Sequence, residues 1–183
     1  MLWADIIRSG STVPLDKHFA PLLEPELVFR LRDDIHPEAS LEEVASKCDV
    51  AAGLECPDSR YCNWFGGQYP ALTLRDLIAD NCLAGLLVVG DTWLPATEVH
   101  FPTVTAVLLR DGVQIATGDG TGVLGNPLKA LIWLSRHLAE RGGVLSANTL
   151  VSSGTFTAPF VATPSLVTSS FSEGIGDVSI RWT

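Results

Sequence analysis

The fold is decided around the stretch Glu24-Pro25-Glu26-Leu27-Val28-Phe29-Arg30-Leu31, in which two acids precede a short apolar segment. The segment LVFRL at 27–31 is rich in aliphatic, β-branched and aromatic residues, which predicts a buried strand. In an extended chain residues i and i+2 point the same way, so both carboxylates project from one face. Pro25 between them fits an edge or first-strand position. The sequence therefore predicts a strand that begins with two parallel carboxylates.

Helices are predicted on the C-terminal side of this strand. Ser40-Leu41-Glu42-Glu43 is a capping-box pattern, and the apolar spacing that follows predicts a short helix to about Ala52. Residues 72–77 can open a further helix before polar residues 79–81 interrupt it. Asn126-Pro127 predicts the start of a long helix with an apolar stripe, which Gly142-Gly143 ends.

The rest of the chain predicts short strands. An Asp-Gly pair at 111–112 indicates the turn of a hairpin. The predicted strands lie at 83–90, 104–109, 113–116, 149–152, 161–162, 166–171 and 178–182. These elements predict an α+β fold, a mixed, mostly antiparallel β-roll or barrel with one long and one short helix. No repeat or linker divides the 183 residues, so we expect one domain over 1–183.

Composition excludes several classes of partner. The net charge is −9 and the pI about 4.7, so the chain lacks the excess of positive charge that binding to nucleic acid or anionic membranes requires. No apolar run is long enough to span a bilayer and no secretory signal is visible. The four cysteines form no CxxC pair, so we interpret them as reduced thiols of a cytoplasmic protein without a zinc site: Cys48, Cys56, Cys62 and Cys82.

A third carboxylate stands in an apolar run. Glu55 ends Val50-Ala51-Ala52-Gly53-Leu54-Glu55, and a carboxylate in such a run is either buried with a partner or aimed into a site. Three carboxylates with open positions suit Mg²⁺ or Mn²⁺. A 2-oxo acid could then chelate such an ion through its carboxylate and keto oxygens. The plainer alternative is that Glu24 and Glu26 form a solvated strand edge of an acidic protein.

The order of five segments resembles a known family. They are LLEPELVFRL at 22–31, AAGLECPDSR at 51–60, DLIADNCLAGLLVVG at 76–90, GVLGNPLKALIWLSRHLAERGGVL at 122–145 and LVSSGTFTAPF at 150–160. Together they resemble the branch of the fumarylacetoacetate hydrolase superfamily that contains 2-keto-4-pentenoate hydratases, 2-oxohepta-3-ene-1,7-dioate hydratases and 4-oxalocrotonate decarboxylases. The resemblance implies a β-roll or barrel, usually oligomeric. It also implies Mg²⁺ or Mn²⁺ held by Glu24, Glu26 and Glu55.

The chain also departs from the family pattern. Leu2-Trp3-Ala4-Asp5 matches a segment that lies well inside family members, so the resemblance implies an N-terminally shortened chain. A Lys and an Asp that family members carry before that segment have no counterpart. Leu83 stands where a substrate-facing Ser is common, and Gly125-Asn126-Pro127 replaces a GHP motif. These departures leave the hydratase chemistry itself open.

Further residues are candidates for substrate binding. Asp80-Asn81 could contact the substrate or the metal's surroundings, or could serve only as a turn or helix cap. Backbone amides and hydroxyls of 152–155 suit a substrate carboxylate, and Ser153, Gly154 and Thr155 are the candidates there. Arg60 could pair with Glu55 or with a substrate carboxylate, although a surface role is the simpler interpretation.

Two functional hypotheses follow. The first is a metal-dependent lyase-type enzyme that acts on a 2-oxo acid, β-dicarbonyl or enol by hydration, dehydration, decarboxylation or cyclisation, through a metal-stabilised enolate. It would be a homo-oligomer with a biosynthetic or aromatic-degradation role. The second is a non-catalytic or accessory subunit that pairs with a full-length hydratase or decarboxylase relative. The sequence assigns no catalytic acid or base to either hypothesis.

Overall fold

The computed structural model describes residues 5–61, 64 and 72–183. Twelve strands and three α-helices are formed by these residues. The helices are α1 (Leu41–Ser46), α2 (Leu74–Ala79) and α3 (Leu128–Ala139). The strands are β1 (Asp5–Arg8), β2 (Ser11–Val13), β3 (Leu22–Leu31), β4 (Cys48–Cys56), β5 (Leu86–Val89), β6 (Leu94–Pro95), β7 (Thr105–Arg110), β8 (Val113–Asp119), β9 (Leu150–Ser152), β10 (Phe160–Val161), β11 (Ser165–Phe171) and β12 (Gly176–Trp182).

The strands form two sheets. The first has the order β1-β5-β4-β3-β10, with β6 paired to β4 and β9 paired to β3. The second has the order β2-β12-β11-β7-β8. Only the pairs β1–β5 and β2–β12 are parallel among the described strands. The predicted mixed, mostly antiparallel α+β arrangement is therefore confirmed.

The two faces of the β3–β4 pair have different environments. On one face lie apolar side chains that enter the main core, with Leu27 and Phe29 from β3 and Val50 and Leu54 from β4. The second sheet contributes the other side of this core through residues such as Ile180. Because side chains alternate along a strand, the residues between them point to the opposite face. That opposite face carries the acids.

Helix α3 begins and ends as the sequence predicts. The Leu128 amide donates to Asn126 Oδ1 at 3.0 Å, so the Asn side chain satisfies one of the free amides of the first turn. At the other end Gly142 adopts a left-handed φ of 72°, and the Gly143 amide donates to the Leu138 carbonyl at 2.9 Å. Leu131 on its inner face is buried in the main core.

The predicted end of the first helix is wrong. The first helix ends at Ser46 instead of continuing to about Ala52, because 48–56 form β4. The residues Val50, Ala52 and Leu54 alternate into the core, and the pairing of β4 with β3 and β5 outweighs the helical spacing of the first residues.

The structure also adds elements. Helix α2 is a second short helix, formed where the sequence left the continuation open. Strands β1, β2 and β6 were not predicted. Cys62 and residues 2–4 of the Leu2–Asp5 match lie outside the described residues. Across the described ranges, no helix has the length and apolar character needed to cross a membrane.

Candidate metal centre

The antiparallel register of β3 and β4 brings three carboxylates together. Glu24 lies directly opposite Glu55, and Glu26 lies opposite Gly53. Glu24 and Glu26 share a face of β3 by their two-residue spacing, and cross-strand neighbours also share a face. One carboxylate oxygen from each of Glu24, Glu26 and Glu55 lies within 4.8 Å of the other two. The structure thus brings the three predicted metal ligands into one cluster.

Gly53 lies so close to β3 that its position has no space for a side chain beside Glu26. A Cβ atom at this position would lie 2.6 Å from Cγ2 of Val28 and 3.0 Å from the Glu26 carbonyl oxygen. The first contact is too close for any Cβ and the second is tight, so a side chain here would have to push the Val28 side chain aside and shift the β3 backbone slightly. The glycine in the run VAAGLE therefore permits the close approach of the two acidic strands.

Glu26 is the most tightly held of the three acids. Its side chain accepts hydrogen bonds from the Ser152 hydroxyl and from the Gly154 amide, the latter at 2.9 Å. Ser152 reaches it because β9 pairs with β3 and places Ser152 opposite Val28, on the same face of the sheet. Glu26 is only 2% exposed and Glu55 only 8%. The orientation of the Glu26 carboxylate is thereby fixed from the β9 side.

Burial and mutual repulsion make these acids reluctant to ionise together. Burial, followed by the charge of Glu26, raises the pKa of Glu24 to about 7. Burial, then the charge of Glu26 and a hydrogen bond with it, raises the pKa of Glu55 to about 10. Burial also raises the pKa of Glu26, against the opposing hydrogen bonds from Ser152, Glu55 and Gly154. Without a cation, the Glu55 carboxyl keeps its proton and donates it to Glu26.

The donor set fits a hard divalent cation. In the described part of the chain no Lys, Arg or His forms an ion pair with Glu24, Glu26 or Glu55. The remaining residues, 1–4, 62, 63 and 65–71, contain no Lys, Arg or His. The repulsion among three adjoining carboxylates can therefore be offset by a proton on Glu55 or by a bound cation. All-oxygen ligands favour Mg²⁺, Mn²⁺ or Ca²⁺.

A cavity of about 440 Å³ opens beside the carboxylates. Glu26, Glu55 and Ser152 line its polar end, and Ser153 and Gly154 adjoin them. The opposite wall is apolar and comes from the adjoining strand and from α3. Its side chains are those of Ala130, Trp133, Leu134 and Leu150, and Thr149 and Val151 also line the cavity. A small molecule could thus reach the carboxylate cluster along an apolar wall.

The predicted substrate donors of 152–155 serve the chain itself in this structure. The Ser153 hydroxyl accepts from the Leu27 amide at 3.2 Å and donates to the Gly154 carbonyl at 3.2 Å. The Thr155 hydroxyl donates to the Thr157 carbonyl at 3.0 Å. Ser153 and Gly154 line the cavity, whereas Thr155 is not among its described lining residues. Their contact with a substrate stays a prediction.

Arg60 and Asp80 pair with each other. Arg60 Nη1 lies 3.6 Å from Asp80 Oδ1, and its Nη2 donates to the Ala84 carbonyl at 2.6 Å. Neither residue is among the described residues that line the carboxylate cavity, and Arg60 forms no described ion pair with Glu55. Their predicted substrate contact also stays a prediction, while the simpler structural role is the one these contacts support.

Asn81 begins a left-handed turn close to the cluster. Asn81, Cys82 and Leu83 have φ values of 52°, 55° and 64°, a conformation that side chains other than glycine rarely adopt in succession. Cys82 is close enough to Glu55 to contribute to the raised pKa of that carboxyl. The turn thus lies beside the site, and substrate contact by Asn81 remains a prediction.

Two contributions were not predicted from the sequence. One is the hydrogen bond from Ser152 to Glu26, since the hydroxyls of 152–155 were assigned to a substrate. The other is the wall formed by Ala130, Trp133 and Leu134. Their i, i+3, i+4 spacing on α3 was a usable signal, because it puts them on one helix face.

Comparison with known proteins gives relatives over almost the whole chain, although no protein-family model matches it. The 2-keto-4-pentenoate hydratase of Paraburkholderia xenovorans (strain LB400) is 31% identical over 171 residues. The match covers 92% of this chain and 61% of the hydratase. The chain therefore spans less than two thirds of the length of this relative.

Solved structures have the same fold. The 4-oxalocrotonate decarboxylase from Pseudomonas putida G7, complexed with magnesium and adipate, superposes with a TM-score of 0.87 at 28% identity. The superposition covers 97% of this chain and 66% of the decarboxylase. A fumarylacetoacetate hydrolase from Exiguobacterium antarcticum superposes with a TM-score of 0.72 at 14% identity, over 97% of this chain and 62% of that one. At that identity the second likeness concerns the fold alone.

Proposed function

We propose that this chain, which belongs to the fumarylacetoacetate hydrolase superfamily and is a homologue of its hydratases and decarboxylases, is a metal-dependent lyase-type enzyme. Its substrate is a 2-oxo acid or a related β-dicarbonyl or enol. The observation that carries the proposal is the cluster of Glu24, Glu26 and Glu55, buried beside a cavity and without a cationic partner in the described residues.

Each acid has a distinct part in the proposed site. Glu26 is oriented by Ser152 and Gly154, so its free lone pairs are held ready for a ligand. Binding of a cation would displace the proton that Glu55 shares with Glu26. Glu24 closes the cluster from the directly opposite strand position. The displaced proton leaves to solvent, because no basic side chain forms an ion pair with the cluster in the described residues.

A bound Mg²⁺ or Mn²⁺ would supply a positive charge that orients the carboxylate and keto oxygens of a 2-oxo acid and stabilises the negative charge of its enolate. The low exposure of Glu26 and Glu55 strengthens that electrostatic effect, because water is largely excluded. The names of the relatives, a hydratase and a decarboxylase, both denote lyase reactions, which is why we propose that class.

Metal binding is tested by calorimetry with Mn²⁺ and oxalate, a stable mimic of a planar 2-oxo acid enolate. We expect oxalate to bind wild type only when Mn²⁺ is present. The Glu24→Ala/Glu26→Ala variant should bind neither ligand. The control Glu38→Ala/Glu98→Ala removes two exposed acids elsewhere and should bind as wild type does. Equal, weak Mn²⁺ binding by wild type and the Glu24→Ala/Glu26→Ala variant would contradict the proposal.

Catalysis is tested separately with 2-hydroxypenta-2,4-dienoate, the enol form of 2-keto-4-pentenoate, whose ultraviolet absorbance falls when its conjugation is lost. Turnover that requires Mg²⁺ or Mn²⁺ supports the enzyme. Metal and oxalate binding with no turnover of this or a decarboxylatable 2-oxo acid would instead favour the accessory subunit.

We also propose that the chain forms a homo-oligomer. Native mass measurement of the purified chain alone should give a multiple of its 19.6 kDa. A monomer that assembles only with a hydratase or decarboxylase relative would favour the accessory subunit.

A further inference from the structure

The cavity beside the carboxylates has two chemically different ends. Glu26, Glu55 and Ser152 supply the polar end, where the proposed metal lies. Away from them, Trp133 and Leu134 belong to a wall of apolar groups from α3 and β9. A substrate bound through its 2-oxo acid group at the first end must place its remaining atoms along the second.

Trp133 has the properties of a contact surface for those atoms. Its side chain is 59% exposed although it lines a cavity, so it lies at the mouth. The indole stacks on the His137 ring with a centroid distance of 4.9 Å and an interplanar angle of 15°. Arg141 holds that imidazole in turn, with Nη1 3.2 Å from His137 Nδ1. The indole is thus braced from the helix side, which lowers the entropy that substrate contact would cost.

The lining offers no positive charge to a second carboxylate. No Lys, Arg or His is among the described residues that line the cavity. Every Lys, Arg and His of the chain lies in the described ranges, so the remaining residues add none. Lys129, which precedes Ala130 on α3, has its Nζ close to Gly125, 3.4 Å from where a Cβ of that glycine would lie. A carboxylate against this wall would lose part of its hydration without gaining a charged partner from the lining.

We propose that Trp133 is a specificity-determining residue that receives an uncharged, apolar substituent, so that the substrate class is 2-oxo monocarboxylates with an apolar tail and excludes 2-oxo dicarboxylates. This inference rests on the proposed function, which places the 2-oxo acid group at the carboxylate cluster. Each methylene group of the tail that is buried on the wall should tighten binding by about fourfold.

The test compares two ligands of equal chain length, 2-oxohexanoate and 2-oxohexanedioate, by calorimetry with Mn²⁺-loaded protein. Pyruvate is the reference without a tail. Wild type should bind 2-oxohexanoate at least about tenfold more tightly than either other ligand. Trp133→Ala should lose about tenfold for 2-oxohexanoate and leave pyruvate within about twofold. Trp133→Phe should recover most of the loss.

Two further variants separate specificity from general effects. Trp93→Ala removes an indole that lies over the Arg30 guanidinium at 4.4 Å, and it should change none of the three affinities. Trp133→Arg should shift the preference toward 2-oxohexanedioate, because it supplies the missing positive charge at the same place.

Equal or tighter binding of the dicarboxylate to wild type would overturn the inference, as would an unchanged 2-oxohexanoate affinity in Trp133→Ala. In both cases pyruvate and oxalate would still bind with Mn²⁺, so the proposed function would stand. Failure of Mn²⁺-loaded wild type to bind oxalate and all three 2-oxo acids would overturn both together.

Discussion

Two groups of buried acids in this molecule have opposite surroundings. Asp58 and Asp80 are buried and each has donors within the chain. The Phe19 and Ala20 amides donate to Asp58 at 2.9 and 2.8 Å, and Arg60 pairs with Asp80. The second group is the cluster of Glu24, Glu26 and Glu55, in which the acids face one another.

We interpret the difference as one between structural acids and the proposed ligands of a cation. A buried carboxylate with amide and guanidinium donors has its charge compensated by the fold. In the cluster only Glu26 has such donors, and each additional negative charge raises the pKa of its neighbours. Burial alone therefore does not distinguish the two groups, whereas burial among like charges, without a cation from the described residues, does.

The largest expected effect comes from removing the most deeply held acid of the cluster. Glu26→Gln keeps the shape of the side chain but cannot ionise. Mn²⁺ affinity should fall at least about 100-fold, since even loss of an outer hydrogen-bond partner commonly costs 10–100-fold. Mn²⁺ titration followed by electron paramagnetic resonance measures this. A change of less than about threefold would remove Glu26 from the proposed ligands.

The second-largest expected effect is that both Mn²⁺ affinity and the stability of the metal-free fold depend on pH. The folded, metal-free chain holds the Glu55 proton up to a pKa of about 10, whereas the ordinary value is 4.5. Mn²⁺ must displace this proton, so its affinity should rise by about tenfold per pH unit from pH 7 to 9. For the same reason the metal-free fold should lose stability as pH rises from about 4.5 toward 10, because the unfolded chain binds fewer protons there.

Urea unfolding at several pH values, measured once with EDTA and once with Mn²⁺, checks the predicted direction of the pH dependence of stability without and with the metal. The metal should restore stability at the alkaline end, and the Glu55→Gln variant in EDTA should show a flatter pH dependence. Metal-free stability that increases over this range would contradict the account of Glu55.

A smaller effect distinguishes two neighbouring serines. Ser152→Ala removes the hydroxyl that holds Glu26 and should weaken Mn²⁺ binding by about tenfold. Ser153→Ala removes a hydroxyl that bonds the Leu27 amide and the Gly154 carbonyl. It should lower the free energy of unfolding by about 1 kcal/mol and leave Mn²⁺ affinity nearly unchanged. The reverse pattern would show that Ser152 does not position the site.

The smallest effect on metal binding is expected in the structural group. Asp58→Asn should leave Mn²⁺ affinity within about twofold of wild type. It should lower the free energy of unfolding by about 1–3 kcal/mol, because one of the Phe19 and Ala20 amides then faces the NH2 group of the asparagine and has no acceptor. Chemical denaturation and Mn²⁺ titration of the same sample measure both quantities. A large loss of Mn²⁺ affinity without loss of stability would erase the contrast between the two groups.

Local patterns made part of this architecture predictable. The Asn126-Pro127 start and Gly142-Gly143 end of α3 depend on neighbouring residues only, as does the hairpin around the Asp-Gly turn at 111–112. The two-residue spacing of Glu24 and Glu26 also determines their common face once a strand forms. The position of Glu55 opposite Glu24 depends instead on the register of two strands joined by a long connection, and the family resemblance supplied that ligand set.

Other features depend on long-range contacts and were missed. The first turn of the predicted helix after Ser40 is correct, but the following residues join β4 because β3 and β5 lie on either side of it. Ser152 reaches Glu26 only through the pairing of β9 with β3. Arg60 and Asp80 are twenty residues apart in the sequence but form an ion pair beside the turn of 81–83. No sequence pattern predicted the left-handed conformation of that turn.

The central claim is that Glu24, Glu26 and Glu55 together hold a divalent cation, and anomalous diffraction from crystals grown with Mn²⁺ tests it most directly. The account predicts one strong anomalous peak bounded by a carboxylate oxygen from each of the three residues, and its loss in Glu26→Gln crystals. A peak elsewhere on this acidic chain, with none between β3 and β4, would contradict it.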